Sequence, residues 1–202
     1  MKALERAWLA SPRGSAVALR LSRAYASRDE PSRAIAILNE ALDRNPDDKV
    51  VHLELARRML DAGQLLAQAA HHLERSYARG DANFDARHLH AQLLFLNGNA
   101  AEAMKLFQEV DHASPPTFLS GGLIPEKLVS SRLGRYRGRI VRKEATFALL
   151  STASYPSHIH VPQRHSDPDH WKVLGTGSDV DFSVNFNRRG PVAVDVRLVT
   201  QL

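Results

Sequence analysis

From the start of the chain to about Val110, apolar residues recur at intervals of three and four, the spacing of helices that bury one face. The rhythm breaks at nearly regular intervals. Ala34, Leu38, Ala41 and Pro46 form one frame; it returns 35 residues on as Ala69, Leu73, Ser76 and Asp81, and 34 further on as Ala103, Phe107, Val110 and Pro115. Upstream in each unit stand Leu21 and Tyr25, Leu55 and Met59, then His90 and Leu94. A period of this length marks stacked helical hairpins. Alanine at the first frame position lets two helices approach, and the larger residue four places on fills the gap between them. A proline after the second helix ends it. Short polar turns such as Arg28-Asp29-Glu30-Pro31 and Asn97-Gly98-Asn99 join the helices of a pair.

The helical rhythm stops at Ser114–Gly122, which contains Pro115, Pro116, Gly121 and Gly122. A short helix over Pro125–Leu133 is expected to cap the last hairpin. Beyond Tyr136 the period falls to two. Strands are predicted over Tyr136–Arg142, Ala145–Ser151, His158–Val161, Asp179–Phe186 and Pro191–Val199, with Asn187–Gly190 as the last hairpin turn. Five short strands with a longer loop after the third predict a small Greek-key barrel.

The repeated frame carries the apolar contact positions of the tetratricopeptide pattern, which residues 15–115 resemble over three units. Shifting the frame back by 34 places Leu4, Ala7 and Pro12 where Leu38, Ala41 and Pro46 stand. Residues 1–14 are therefore expected to be the second helix of a preceding repeat, in a chain cut from a longer one; the alternative is a solitary capping helix. The resemblance implies a concave groove for a protein or peptide partner, lined here by Arg23, Arg57, His88, Gln92 and Phe95. Self-association of the array is a further reading. The Lys/Asn clamp that some family members use for a peptide carboxylate has no counterpart at these positions.

The strand region resembles a cold-shock domain. Gly138-Arg139-Ile140 matches that family's opening strand, and Phe147-Ala148-Leu149-Leu150 stands where it has Phe-Gly-Phe-Ile. Ser157–Val161 stands where it has Asp-Val-Phe-Val-His, and Arg189–Ala193 matches the turn into its fifth strand. The resemblance implies single-strand binding by stacked aromatics among basic residues. Carried over, the stacking platforms are Phe147, Leu149, Ile159 and Val161, with Arg137, Arg139, Arg142, Lys143 and Arg164 along the backbone path. Only Phe147 of the four platforms is aromatic.

The fold expected is thus multidomain α plus β: tetratricopeptide-type α-solenoid hairpins, a linker with a capping helix over residues 116–134, and a five-stranded antiparallel OB-like β-barrel over 135–202. From Arg135 onward ten Lys/Arg face six Asp/Glu, against 17 and 16 before it, so most of the net charge of +5 lies on the barrel. That placement suits a polyanion.

The chain has no cysteine, which excludes disulfides and thiolate metal sites and fits a cytoplasmic protein. No apolar run approaches the roughly 20 residues that span a bilayer, so no membrane partner is expected. Lys2, Glu5 and Arg6 interrupt the N-terminus, which does not read as a secretory signal. His158, His160, His165 and His170, with Asp167 and Asp169, are the densest ligand-capable group, but no third ligand stands at a recognised metal spacing. Gly175-Thr176-Gly177 lacks a third glycine and a following helix, and no phosphate loop, nucleophile elbow or paired carboxylates occur. The expectation is a non-enzymatic adaptor without cofactor or metal, binding protein through the repeats and single-stranded nucleic acid weakly through the barrel. The alternative is a protein-interaction scaffold, or the regulatory region of a larger enzyme, whose barrel docks on protein.

Overall fold

The computed structural model describes residues 2–10, 14–63, 66–78, 80–113, 124, 129, 133–187 and 189–199. The chain forms two compact units, Met1–Ala86 and Arg87–Leu202.

The first unit holds α1 (Lys2–Ala10), α2 (Ser15–Ala26), α3 (Pro31–Arg44), α4 (Lys49–Asp61), α5 (Leu66–Arg75) and the first turn of α6 (Phe84–Leu96). The repeated frame is its core: Ala34, Leu38, Ala69 and Leu73 are fully buried, and Leu21, Tyr25, Leu55 and Met59 pack inward with them. Helices α2 and α3 pair, as do α4 and α5, and α3 packs on α4. Local chemistry sets the ends. Pro31 opens α3 at a position where its missing N–H costs nothing. The Asp48 carboxylate caps α4, accepting from the N–H groups of Val50 and Val51 at 3.1 Å. On α1 the sealing residue is Trp8, not the Ala7 of the shifted frame. Trp8 is buried, donates from Nε1 to Glu40 Oε2 at 3.1 Å, and lies 4.7 Å from the Arg44 guanidinium.

The second unit contains the rest of α6, α7 (Ala100–His112) and five strands: β1 (Tyr136–Lys143), β2 (Phe147–Thr152), β3 (Tyr155–Pro162), β4 (Asp179–Asn187) and β5 (Gly190–Leu198). A 3₁₀ turn (Gln163–His165) and a one-turn helix α8 (Pro168–Val173) carry the chain from β3 to β4. The strands close in the order β1-β2-β3-β5-β4, with β4 back against β1. Four neighbouring pairs are antiparallel, but β3 and β5 run parallel, His160 opposite Val192. The sheet is therefore mixed, which corrects the all-antiparallel expectation. The reason is parity: an odd number of strands closed into a ring cannot alternate direction at every step. The barrel interior takes alternate residues, among them Ile140, Ala148, Leu150, Val180, Phe182 and Val184.

The third hairpin belongs to this second unit. Phe95 of α6 meets Tyr155 and Phe186, both at 5.5 Å between ring centroids, and Phe107 of α7 stacks on Phe186 at 6.1 Å. All four rings are buried. A polar chain runs through the same contact. The Asn187 carbonyl can only accept, so His88 donates to it from Nε2 at 2.9 Å; His88 Nδ1 then accepts from Gln92 Nε2 at 2.9 Å. Gln92 Oε1 in turn accepts from the N–H of Ile124 at 2.9 Å. Most of the capping helix expected over Pro125–Leu133 lies outside the described residues; Val129 is buried, and its carbonyl accepts from the Leu133 N–H at 2.9 Å.

Candidate binding surfaces

On β2 the burial alternates so that Ala148 and Leu150 point inward while Phe147 and Leu149 reach the outer face. Opposite residues of an antiparallel pair share a face. Ala148 lies opposite Val161 and Leu150 opposite Ile159, so both β3 residues point into the barrel, 0% and 1% exposed. Ile159 and Val161 are therefore core residues, a correction to their reading as stacking platforms. A shift of one residue exchanges the two faces of a strand, and the family alignment over Ser157–Val161 carries that shift. The outward residues are His158 and His160.

These placements make one row across three strands: Arg142 opposite Leu149, and Leu149 opposite His160. Phe147 stacks on His160 with ring centroids 5.3 Å apart and planes inclined by 19°. His160 is the aromatic surface that family matching missed; the signal available was strict alternation with Ile159 and Val161 as the apolar set.

The basic residues divide. Arg142 is exposed and donates from Nε to Glu144 at 2.7 Å, and Arg164 is exposed, its Nε 3.2 Å from His165 Nε2. Lys143 turns to the loop, donating to the Trp171 carbonyl at 2.6 Å with Nζ 5.0 Å from the Trp171 ring. Arg137 and Arg139 line a separate depression with Ser151, Thr152 and Asp179, where Arg139 grips Asp179 through two bonds of 2.8 and 3.0 Å. Around His160 the field is positive. Burial pushes its imidazole below the ordinary histidine range, and the charges of Arg189, Arg164 and His165 push it further.

The residues assigned to a peptide groove lie in different settings. In the first unit Arg23 meets the buried Glu54 at 3.4 Å, Glu54 also receives Arg58 at 3.3 Å, and Arg57 faces Asp85 at 3.6 Å. Each groove arginine thus already has an acidic neighbour. His88, Gln92 and Phe95, in the second unit, are buried in the polar chain and aromatic cluster described above, which corrects their reading as open groove residues. Among the described residues no three His, Cys, Asp or Glu side chains converge as a metal site, and no helix is long and apolar enough to cross a membrane.

Residues 1–57 match the tetratricopeptide repeat family. No curated protein matches the sequence. Among solved structures the chain is similar to a crystal structure of MamA, with TM-score 0.49 and 17% identity over 55% of this chain and 64% of that one. A second MamA crystal structure gives TM-score 0.49 and 17% identity over 56% and 61%. The chain covers less than two thirds of the length of either.

Proposed function

We propose that the protein is a non-enzymatic adaptor in which the helical hairpins hold a protein partner and the outer face of the barrel binds a single strand of RNA or DNA. The tetratricopeptide match over residues 1–57 supports the first half. The second half rests on one observation: the Phe147–His160 stack, set in a row with Arg142 and beside Arg164 and Arg189. Aromatic rings offer bases a face whatever the sequence, and cations beside them neutralise phosphates. The strand order β1-β2-β3-β5-β4, with a short helix between β3 and β4, supports reading the barrel as OB-like and cold-shock-like.

With fewer rings than a cold-shock face, binding is weak and carried largely by charge. The test is titration of a labelled single-stranded oligonucleotide with wild type, Phe147→Ala and Leu149→Asp. Loss of a base-stacking ring is expected to cost about 1–3 kcal/mol. Leu149, an aliphatic side chain in the middle of the row, favours a second reading in which this face docks on protein. On that reading Leu149→Asp abolishes partner capture and the oligonucleotide does not bind. Ile159, being core, is unsuited to this test.

A further inference from the structure

A cleft in the second unit separates α7 from β3 and the β4–β5 turn. Gln108, Asp111 and His112 line it on the helix side, and His158, His160 and Arg189 on the barrel side. Among the described residues, the lining therefore combines one arginine and three imidazoles with a single carboxylate.

Arg189 is held in position by its surroundings. Its N–H donates to Asn187 Oδ1 at 2.8 Å, and the Asn187 carbonyl is tied to the buried His88. The next residue, Gly190, lies against the Phe107 ring. The turn is thus fixed on the hairpin while the Arg189 side chain stays 70% exposed. Among the described residues its acidic neighbour is Asp111, with Nε and Oδ1 3.8 Å apart and the Asp111 side chain 52% exposed. That distance is longer than a hydrogen bond, and an exposed pair of this kind exchanges readily for another anion. A phosphate offers anionic oxygens of the same kind and can accept from Arg189 and an imidazole together.

From this geometry we infer that the cleft is a phosphate subsite for the strand bound on the barrel face, and that the Asp111 carboxylate occupies it in the free protein until a phosphate displaces it from Arg189. The inference rests on the strand-binding reading above and extends the bound surface from the barrel onto α7. The helix of the third hairpin then tunes nucleic-acid affinity directly. Burial first, and then the charges of Arg189, Arg164 and His165, depress the basicity of His160, and the second cause fits a site with excess positive charge.

The experiment is an anisotropy titration of the full chain with a labelled single strand, made with and without a 5′-phosphate, across roughly 50–200 mM salt. Asp111→Asn is expected to tighten binding about three- to tenfold. Arg189→Met is expected to weaken it and to reduce the salt slope by ~0.7, the share of one phosphate on a single strand. In the double variant the Asp111 effect should vanish, because the carboxylate has nothing left to compete for. A larger effect on the 5′-phosphorylated strand assigns the cleft to a chain end; an equal effect assigns it to an internal phosphodiester. If both single variants stay within twofold of wild type with unchanged slope while Phe147→Ala still loses binding, the subsite is wrong and strand binding stands. If wild type binds no strand at all, both fall. Thermal melting of each variant separates lost binding from lost fold.

Discussion

Gly190 and Phe107 lie so close that a Cβ on Gly190 would come within 3.2 Å of Cγ and Cδ2 of the ring, a contact that the ring must yield by a few tenths of an ångström to accept. Gly190 also has φ of 121°, a conformation that L residues rarely adopt. Two constraints therefore meet at the point where the β4–β5 turn rests on α7. Gly190→Ala should destabilise the second unit by about 1–3 kcal/mol, through overpacking and backbone strain together. Thermal melts followed by tryptophan fluorescence at Trp171, with Trp8 replaced by phenylalanine, would read this unit. An unchanged midpoint would contradict the packing described.

The polar chain in the same unit gives a second prediction. Gln92 is fully buried and its Oε1 accepts from the N–H of the buried Ile124. Gln92→Leu removes that acceptor, and an unsatisfied buried N–H costs about 1–3 kcal/mol. Chemical denaturation should show the loss, and hydrogen exchange at the Ile124 amide should accelerate. Retained protection at that amide would show that the bond does not form.

In the first unit two histidines predict how stability follows pH. His52 donates from Nε2 to the Pro46 carbonyl at 2.8 Å, so its Nδ1 must accept from His72 Nδ1 at 2.8 Å. The bond itself tolerates a proton on one ring but not on both, so it is burial of the charge that opposes protonation. Burial, then the nearby His52, His71 and Arg75, push His72 down to about 4. Burial pushes His52 down as well, opposed by the Pro46 carbonyl. Between an unfolded value of about 6.5 and about 4 the unfolded chain holds the extra proton. Stability should therefore be full above that window, fall as pH drops through it, and level off below. Denaturation midpoints of wild type and His72→Phe between these limits test it, and the variant should lose most of the slope.

Strand binding should respond to pH in the opposite sense. His160 is kept neutral in the free protein by burial and by Arg189, Arg164 and His165. A bound phosphate favours its protonation, so affinity should rise as pH falls from 7 toward the lowered value. The rise should shrink in His160→Gln. A pH-independent affinity in wild type would remove His160 from the contact.

Much of the fold is legible in the chain itself. The frame of Ala34, Leu38, Ala69 and Leu73 marks buried positions because helix contacts require small and large residues at fixed spacing. The alternation over Asp179–Phe186 becomes β4, with Val180, Phe182, Val184 and Phe186 inward. Two features escaped family matching for physical reasons. The side-chain direction on β3 depends on one residue of register, and His160 and Ile159 exchange faces under a single-position slip. The packing of α6 on the barrel is a tertiary choice, yet its signal is present: His88, Leu89, Ala91, Gln92, Leu93 and Phe95 are buried around most of the helix. A helix buried on more than one side needs a second packing partner. The parallel β3–β5 pair could likewise be deduced from closing five strands.

Binding of a single strand to the Phe147–His160 surface must show in its response to salt and to loss of one ring. The most direct measurement is the affinity of the intact chain for a labelled single-stranded oligonucleotide at about 50 and 200 mM salt. Binding should be measurable at the lower salt and weaken steeply at the higher, with at least a fivefold loss in Phe147→Ala on the basis of about 1 kcal/mol for one stacked base. Absence of binding at low salt, or binding indifferent to both salt and Phe147, would contradict it.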